Sequence, residues 1–195
     1  AWVRNGADKF LIVVLIGTSA TGLYSVGYQI GLIVSVLIAA VNKAWSPYLL
    51  QTLNTTPTEG VKKKIVLLTY GYGVGLLFFA YVLVILAEMV MPVLVGEEFL
   101  GASKYVFWIA LAYAFQGMNN MVGGYLFFQE NTVLLAQISV VIAIFHIALC
   151  YSLIITFGPV GAAYATVISF FLSFVLTWWQ SQKAYAMPWN IFRGE

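Results

Sequence analysis

Charge is what this sequence has least of. Nine basic and seven acidic side chains in 195 residues make it 8% charged, against roughly a quarter in an average soluble domain. So few charges cannot coat the core that so many apolar residues would form, and a soluble globule is excluded. Cysteine is nearly absent as well: Cys150 stands alone, which rules out an intrachain disulfide. His146 is the only histidine, so no second His or Cys exists to complete a zinc shell around the pair, and a buried thiol is inert. The sequence has no glycine-rich phosphate loop leading into a lysine at a helix start, and no Ser/His/Asp arrangement. The loop carboxylates Glu59, Glu97, Glu98 and Glu130 have no partner arrangement that would make a base of any of them. No catalytic residue, metal, cofactor or nucleic-acid partner is expected, and an enzyme is disfavoured. No short apolar core with a small-residue cleavage site marks a signal peptide.

What is present is apolar, with 62% hydrophobic and 16% aromatic residues and a net charge of +2, the reverse of a disordered composition. Lipid is the solvent such a chain requires. A bilayer core of about 30 Å takes roughly 20 apolar residues per helix, and the runs show none of the period-two alternation of barrel strands. Six segments meet that pattern, the first truncated. They are Ala1 to Ile16, about Thr21 to Leu53 with Trp45 and Pro47 near its end, and Val61 to Val95 broken at Pro92. Then come Ser103 to Phe128, the run from Gln129-Glu130-Asn131 to Phe157-Gly158-Pro159, and Val160 to Ala184. The expectation is an all-α, polytopic bundle of six transmembrane helices forming one domain over residues 1–195, with no soluble domain.

Lysines set the orientation. Lys62, Lys63 and Lys64 fill one loop and Lys183 and Arg193 the tail, whereas the loop across the membrane holds Glu97 and Glu98 with only Lys104, so the lysine loop and the C-terminus are expected in the cytoplasm. Helix pairing in lipid relies on close approach at small residues. Gly27, Gly31, Ser35 and Ala39 recur at spacings of four, as do Gly161, Ala165, Ser169, Ser173 and Thr177, and Gly71 and Gly75 form a shorter pair. These rows predict packing faces.

Charges at membrane depth are costly and are functional hypotheses by default. Arg4, Asp8, Lys9 and Lys43 qualify. Arg4 and Asp8, four apart, can pair on one face, which leaves Lys9 and Lys43 in excess. Either they line an electropositive cavity for a phosphate-bearing headgroup, or they snorkel to an interface. Gln116, Asn119 and Asn120 share a helix face, with Tyr113 a turn earlier, and serve equally as sugar-binding amides or as interhelical hydrogen-bond glue. Tyr24, Tyr28 and Gln29 form a weaker group of the same kind. His146 and Cys150, four apart, read as structural, with a proton-responsive His146 as the lesser alternative.

Several stretches resemble the polysaccharide biosynthesis flippases, the Wzx-like branch of the multidrug, oligosaccharidyl-lipid and polysaccharide exporter superfamily. They are Ala7-Asp8-Lys9-Phe10-Leu11-Ile12, Gly22-Leu23-Tyr24-Ser25-Val26, Asn42-Lys43-Ala44-Trp45-Ser46-Pro47, Gly96-Glu97-Glu98-Phe99 and the run from Phe157-Gly158-Pro159 to Thr166. The resemblance runs in order along nearly the whole chain. It implies the C-terminal half of a MATE-like carrier of two six-helix bundles, whose N-terminal half is a missing partner. It also implies alternating-access transport of a lipid-linked oligosaccharide, of the undecaprenyl pyrophosphate type, across the bacterial inner membrane. Substrate would meet Arg4, Asp8, Lys9, Tyr24, Tyr28, Lys43, Gln116, Asn119 and Asn120. A cation-coupled multidrug antiporter of the same superfamily and a membrane-embedded glycan transferase or ligase remain as alternatives.

Overall fold

The apolar runs fold as helices. The computed structural model describes residues 2–94 and 101–190, with side chains described over 6–92 and 101–190. Among these there are seven α-helices and no strand: α1 (Trp2–Leu15), α2 (Thr18–Gly31), α3 (Ile33–Asn54), α4 (Glu59–Leu94), α5 (Ser103–Phe128), α6 (Thr132–Phe157) and α7 (Val160–Ala184). The chain is an all-α helical bundle. The second expected segment is divided at Leu32, whose carbonyl accepts from Ser35 N at 2.8 Å, a three-residue closure instead of the four-residue one. Neither proline ends its helix, since α3 continues through Pro47 and α4 through Pro92.

Among the described residues, four helices are long and apolar enough to cross a membrane: Thr18–Asn54 taken as one span, Glu59–Pro92, Thr132–Phe157 and Val160–Ala184. The other two expected spans miss that description for different reasons. At 14 residues α1 is about 21 Å long, which is short of a bilayer core. The 26 residues of α5 reach about 39 Å, but Gln116, Asn119 and Asn120 dilute its hydropathy. Its position explains the tolerance. It packs against α7, α4, α2 and α3, so protein rather than lipid covers its polar groups.

The outward surface is rich in large apolar side chains. Phe10, Val36, Val74, Met89, Val133 and Ile144 are 67–70% exposed, and water would not tolerate such a contiguous apolar surface. Inside, small residues let α2 and α5 close together. A methyl on Gly27 would stand 2.5 Å from Ala102 O and 2.8 Å from Tyr105 Cβ, and one on Gly31 2.7 Å from Ile109. Residues four apart drift about 40° per step around a helix. Ser35 and Ala39 therefore leave this face, and Val34 and Ile38 take over as the buried residues of α3. The row on α7 stays buried throughout because α7 is covered on one side by α5 and on the other by α6. The expected pair Gly71 and Gly75 is not a packing face: both are exposed, with nothing within 4 Å of where a side chain would begin, and α4 presents Gly73 and Leu76 inward instead.

One end of the bundle collects the start of α4, the end of α7 and residues 185–190. Lys62 Nζ lies 6.0 Å from the centroid of the Tyr185 ring, Tyr70 donates to Trp189 O at 3.0 Å, and Gln182 Oε1 accepts from Trp189 Nε1. Lys62, Lys63 and Lys64, expected in a loop, lie instead in the first turns of α4, and that end shares a side with residues 185–190. The opposite end holds the α1–α2 and α6–α7 turns.

Candidate functional site

Four helices send polar side chains to one point. Asp8 of α1, Tyr24 of α2, Cys150 of α6 and Thr166 of α7 each lie six or seven residues from their helix's end on the α1–α2 turn side, about 10 Å down at 1.5 Å per residue. Asp8 Oδ2 accepts from Tyr24 OH at 3.0 Å and from Thr166 Oγ1 at 2.9 Å. Asp8 Oδ1 lies 2.7 Å from His146 Nε2 and 3.5 Å from Cys150 Sγ. His146 Nδ1 in turn stands 3.0 Å from Ser169 Oγ. Asp8 and His146 are each 1% exposed and Cys150 is fully buried.

An ionised carboxylate only accepts hydrogen bonds, so with Asp8 charged the Nε2 of His146 carries a hydrogen and Ser169 donates to or accepts from Nδ1 according to the ring's charge. Sequence put His146 and Cys150 four apart on one helix, and the structure sets them in a buried row of α6 with Ile138, Ile142 and Ile154. It assigned Asp8 to Arg4. The structure gives Asp8 four partners drawn from three other helices, 16 to 158 residues away. The side chain of Arg4 lies outside the described residues, as do Glu97, Glu98 and Arg193.

Beside this cluster runs a second, half-buried polar row. Lys9 Nζ sits 4.9 Å above the Tyr28 ring, a cation–π contact. Tyr28 OH and Tyr113 OH are 2.7 Å apart, joining α2 to α5. Further along α5, Gln116 Nε2 donates to Asn120 Oδ1 at 3.0 Å, and the buried Oδ1 of Asn119 has no hydrogen-bond partner. Counting from the start of α5, Tyr113, Gln116 and Asn120 lie about 15, 20 and 26 Å down. The row therefore runs lengthwise through the bundle. Lys43 is not part of it: it is exposed on α3, about 16 Å from that helix's C-terminal end.

The chain is 25% identical over 163 residues to a protein of the Lsg locus of Haemophilus influenzae. That stretch covers 80% of this chain and 38% of the Haemophilus protein, so the chain spans well under half of its relative's length. No family model matches the chain. No solved structure matches it either.

The chemistry of the two groups differs. The Asp8 cluster is closed and acidic with a soft donor beside it, suited to holding a small cation. The Lys9 row is partly buried and combines a cation, phenols and amides, the donor set for a phosphate and sugar hydroxyls.

Proposed function

We propose that this chain is part of a membrane transporter that moves a lipid-linked oligosaccharide across the bacterial inner membrane for polysaccharide biosynthesis. The observation that carries the reading is the polar row that runs from Lys9 to Asn120 inside the bundle, with an unpaired acceptor at Asn119. A buried amide oxygen without a partner costs about 1–3 kcal/mol, and at Asn119 a hydroxyl-rich ligand would offset it. The resemblance to polysaccharide biosynthesis flippases supports the reading, and the similarity to the Lsg locus protein is compatible with it. Arg4 and Lys9 attract the pyrophosphate, Arg4 as the fork and Lys9 as a point charge, while Tyr28, Gln116, Asn119 and Asn120 meet the sugar.

In the full-length protein, changing Arg4 and Lys9 together to glutamine is expected to abolish glycan export and leave membrane insertion intact, read by complementation of a flippase-deficient strain. Normal export by the double variant would return both cations to an interfacial role.

The cation-coupled antiporter remains as the second reading because of one observation, a carboxylate buried at depth in Asp8. Transport assays with a lipid-linked glycan and with a cationic drug separate the two.

The orientation belongs to the same reading. With Lys62 to Lys64 and the C-terminus in the cytoplasm, a cysteine placed at Thr58 in a Cys150-free background is expected to resist impermeant maleimide in intact cells and to react once they are opened. Labelling in intact cells would reverse the topology.

A further inference from the structure

We propose that Asp8, His146 and Cys150 form a binding site for one soft divalent cation, with Zn²⁺ as the ion to test. Each of these residues offers one ligand atom, and the carboxylate oxygen, ring nitrogen and sulfur all lie within 4.8 Å of one another. Zinc–nitrogen and zinc–sulfur bonds of about 2.0–2.1 and 2.3 Å set tetrahedral ligand atoms about 3.3–3.8 Å apart, so shifts of about 1 Å suffice. The donor types choose the ion: imidazole and thiolate favour Zn²⁺, whereas Na⁺, Mg²⁺ and Ca²⁺ prefer oxygen alone.

Charge arithmetic points the same way. A Zn²⁺ held by one carboxylate, one thiolate and one neutral imidazole is a centre of zero net charge, which burial among membrane helices tolerates far better than an unpaired ion. On binding, the Cys150 S–H bond breaks, the sulfur–zinc bond forms and the proton leaves to water. His146 gives up its Nε2 hydrogen position to the metal and carries hydrogen on Nδ1 instead, where Ser169 Oγ, 3.0 Å away, accepts it. Tyr24 and Thr166 already fix the other oxygen of Asp8. Such outer partners orient metal ligands in zinc proteins generally, and here they come from α2 and α7 while the ligands come from α1 and α6. A metal would therefore clamp α1 to α6. Three protein ligands leave the fourth tetrahedral position open. The inference concerns metal content and holds whatever the cargo.

The test uses the full-length protein, purified metal-free in detergent and titrated with Zn²⁺ or Co²⁺ alone. Elemental analysis after desalting is expected to show one more zinc per chain in the wild type than in Cys150→Ser or His146→Gln. The Co²⁺ form is expected to show tetrahedral visible bands and a thiolate-to-cobalt charge-transfer band that disappears in Cys150→Ser. Ser169→Ala, which keeps all three ligands, is expected to bind Zn²⁺ about 10- to 100-fold more weakly. Zinc content equal in the wild type and His146→Gln, or a cobalt form without the thiolate band, overturns the proposal. The wild-type cobalt spectrum decides even if the ligand variants fail to fold.

Discussion

Asp8→Ala is expected to destabilise the bundle by about 2–5 kcal/mol, from buried donors left unsatisfied at about 1–3 kcal/mol each. Alanine would strand Tyr24 OH and His146 Nε2 at once, both now bonded to that carboxylate, while Thr166 Oγ1 keeps Ala162 O at 2.9 Å. The effect is larger than one lost hydrogen bond because neither stranded group can turn to water: Tyr24 is fully buried, and His146 is 1% exposed. It also falls on the weakest part of the bundle, since α1 is short and is held through α6 and α2. Asp8→Asn should cost less than half as much. An amide keeps one acceptor for Tyr24 and Thr166, and His146 can present an unprotonated Nε2 to the new N–H group. Thermal unfolding of the detergent-solubilised protein, followed by size exclusion, measures both. If alanine is tolerated as well as asparagine, the cluster does not hold α1 in place.

The legible part of this fold was whatever repeats locally. Spans were readable because a run of apolar residues is a local property, and the limits of α5 and α7 coincide with the expected Ser103 to Phe128 and Val160 to Ala184. The α7 row of small residues was readable for the same reason. The break at Leu32 was not, because no proline or special backbone geometry marks it and the chain direction continues through it. Nor was the site. A charge at membrane depth announces that it needs a partner, but sequence offers only neighbours on its own helix, and Arg4 was the neighbour at hand. His146 lies 138 residues from Asp8, and the pairing depends on how α1 docks against α6. One signal could have found it: titratable groups on different helices at matched depths. Asp8 and Cys150 are each seven residues from a helix end on the same side.

Gly161→Ala is expected to cost about 1–3 kcal/mol, the penalty of overpacking, and to loosen the metal cluster as well. The α6–α7 turn is built on Gly158, whose φ of +68° suits glycine, followed by Pro159 at the start of α7. This turn brings Gly161 against the last part of α6 so closely that a methyl there would collide with the Leu153 carbonyl and stand 2.7 Å from Ile154 N. Backbone cannot swing aside as a flexible side chain can, so the two helices must separate. Thr166 and Ser169 follow on the same helix, five and eight residues along, and reach Asp8 and His146 only while α6 and α7 stay in contact. Stability and the Zn²⁺ content should therefore fall together in this variant. Gly71→Ala and Gly75→Ala provide the comparison within the same protein, because nothing lies within 4 Å of either position. They should be neutral or stabilise by up to about 1 kcal/mol, as alanine does in a helix interior. If Gly161→Ala melts with Gly75→Ala and keeps its zinc, then the close approach of α6 and α7 is not what positions the cluster.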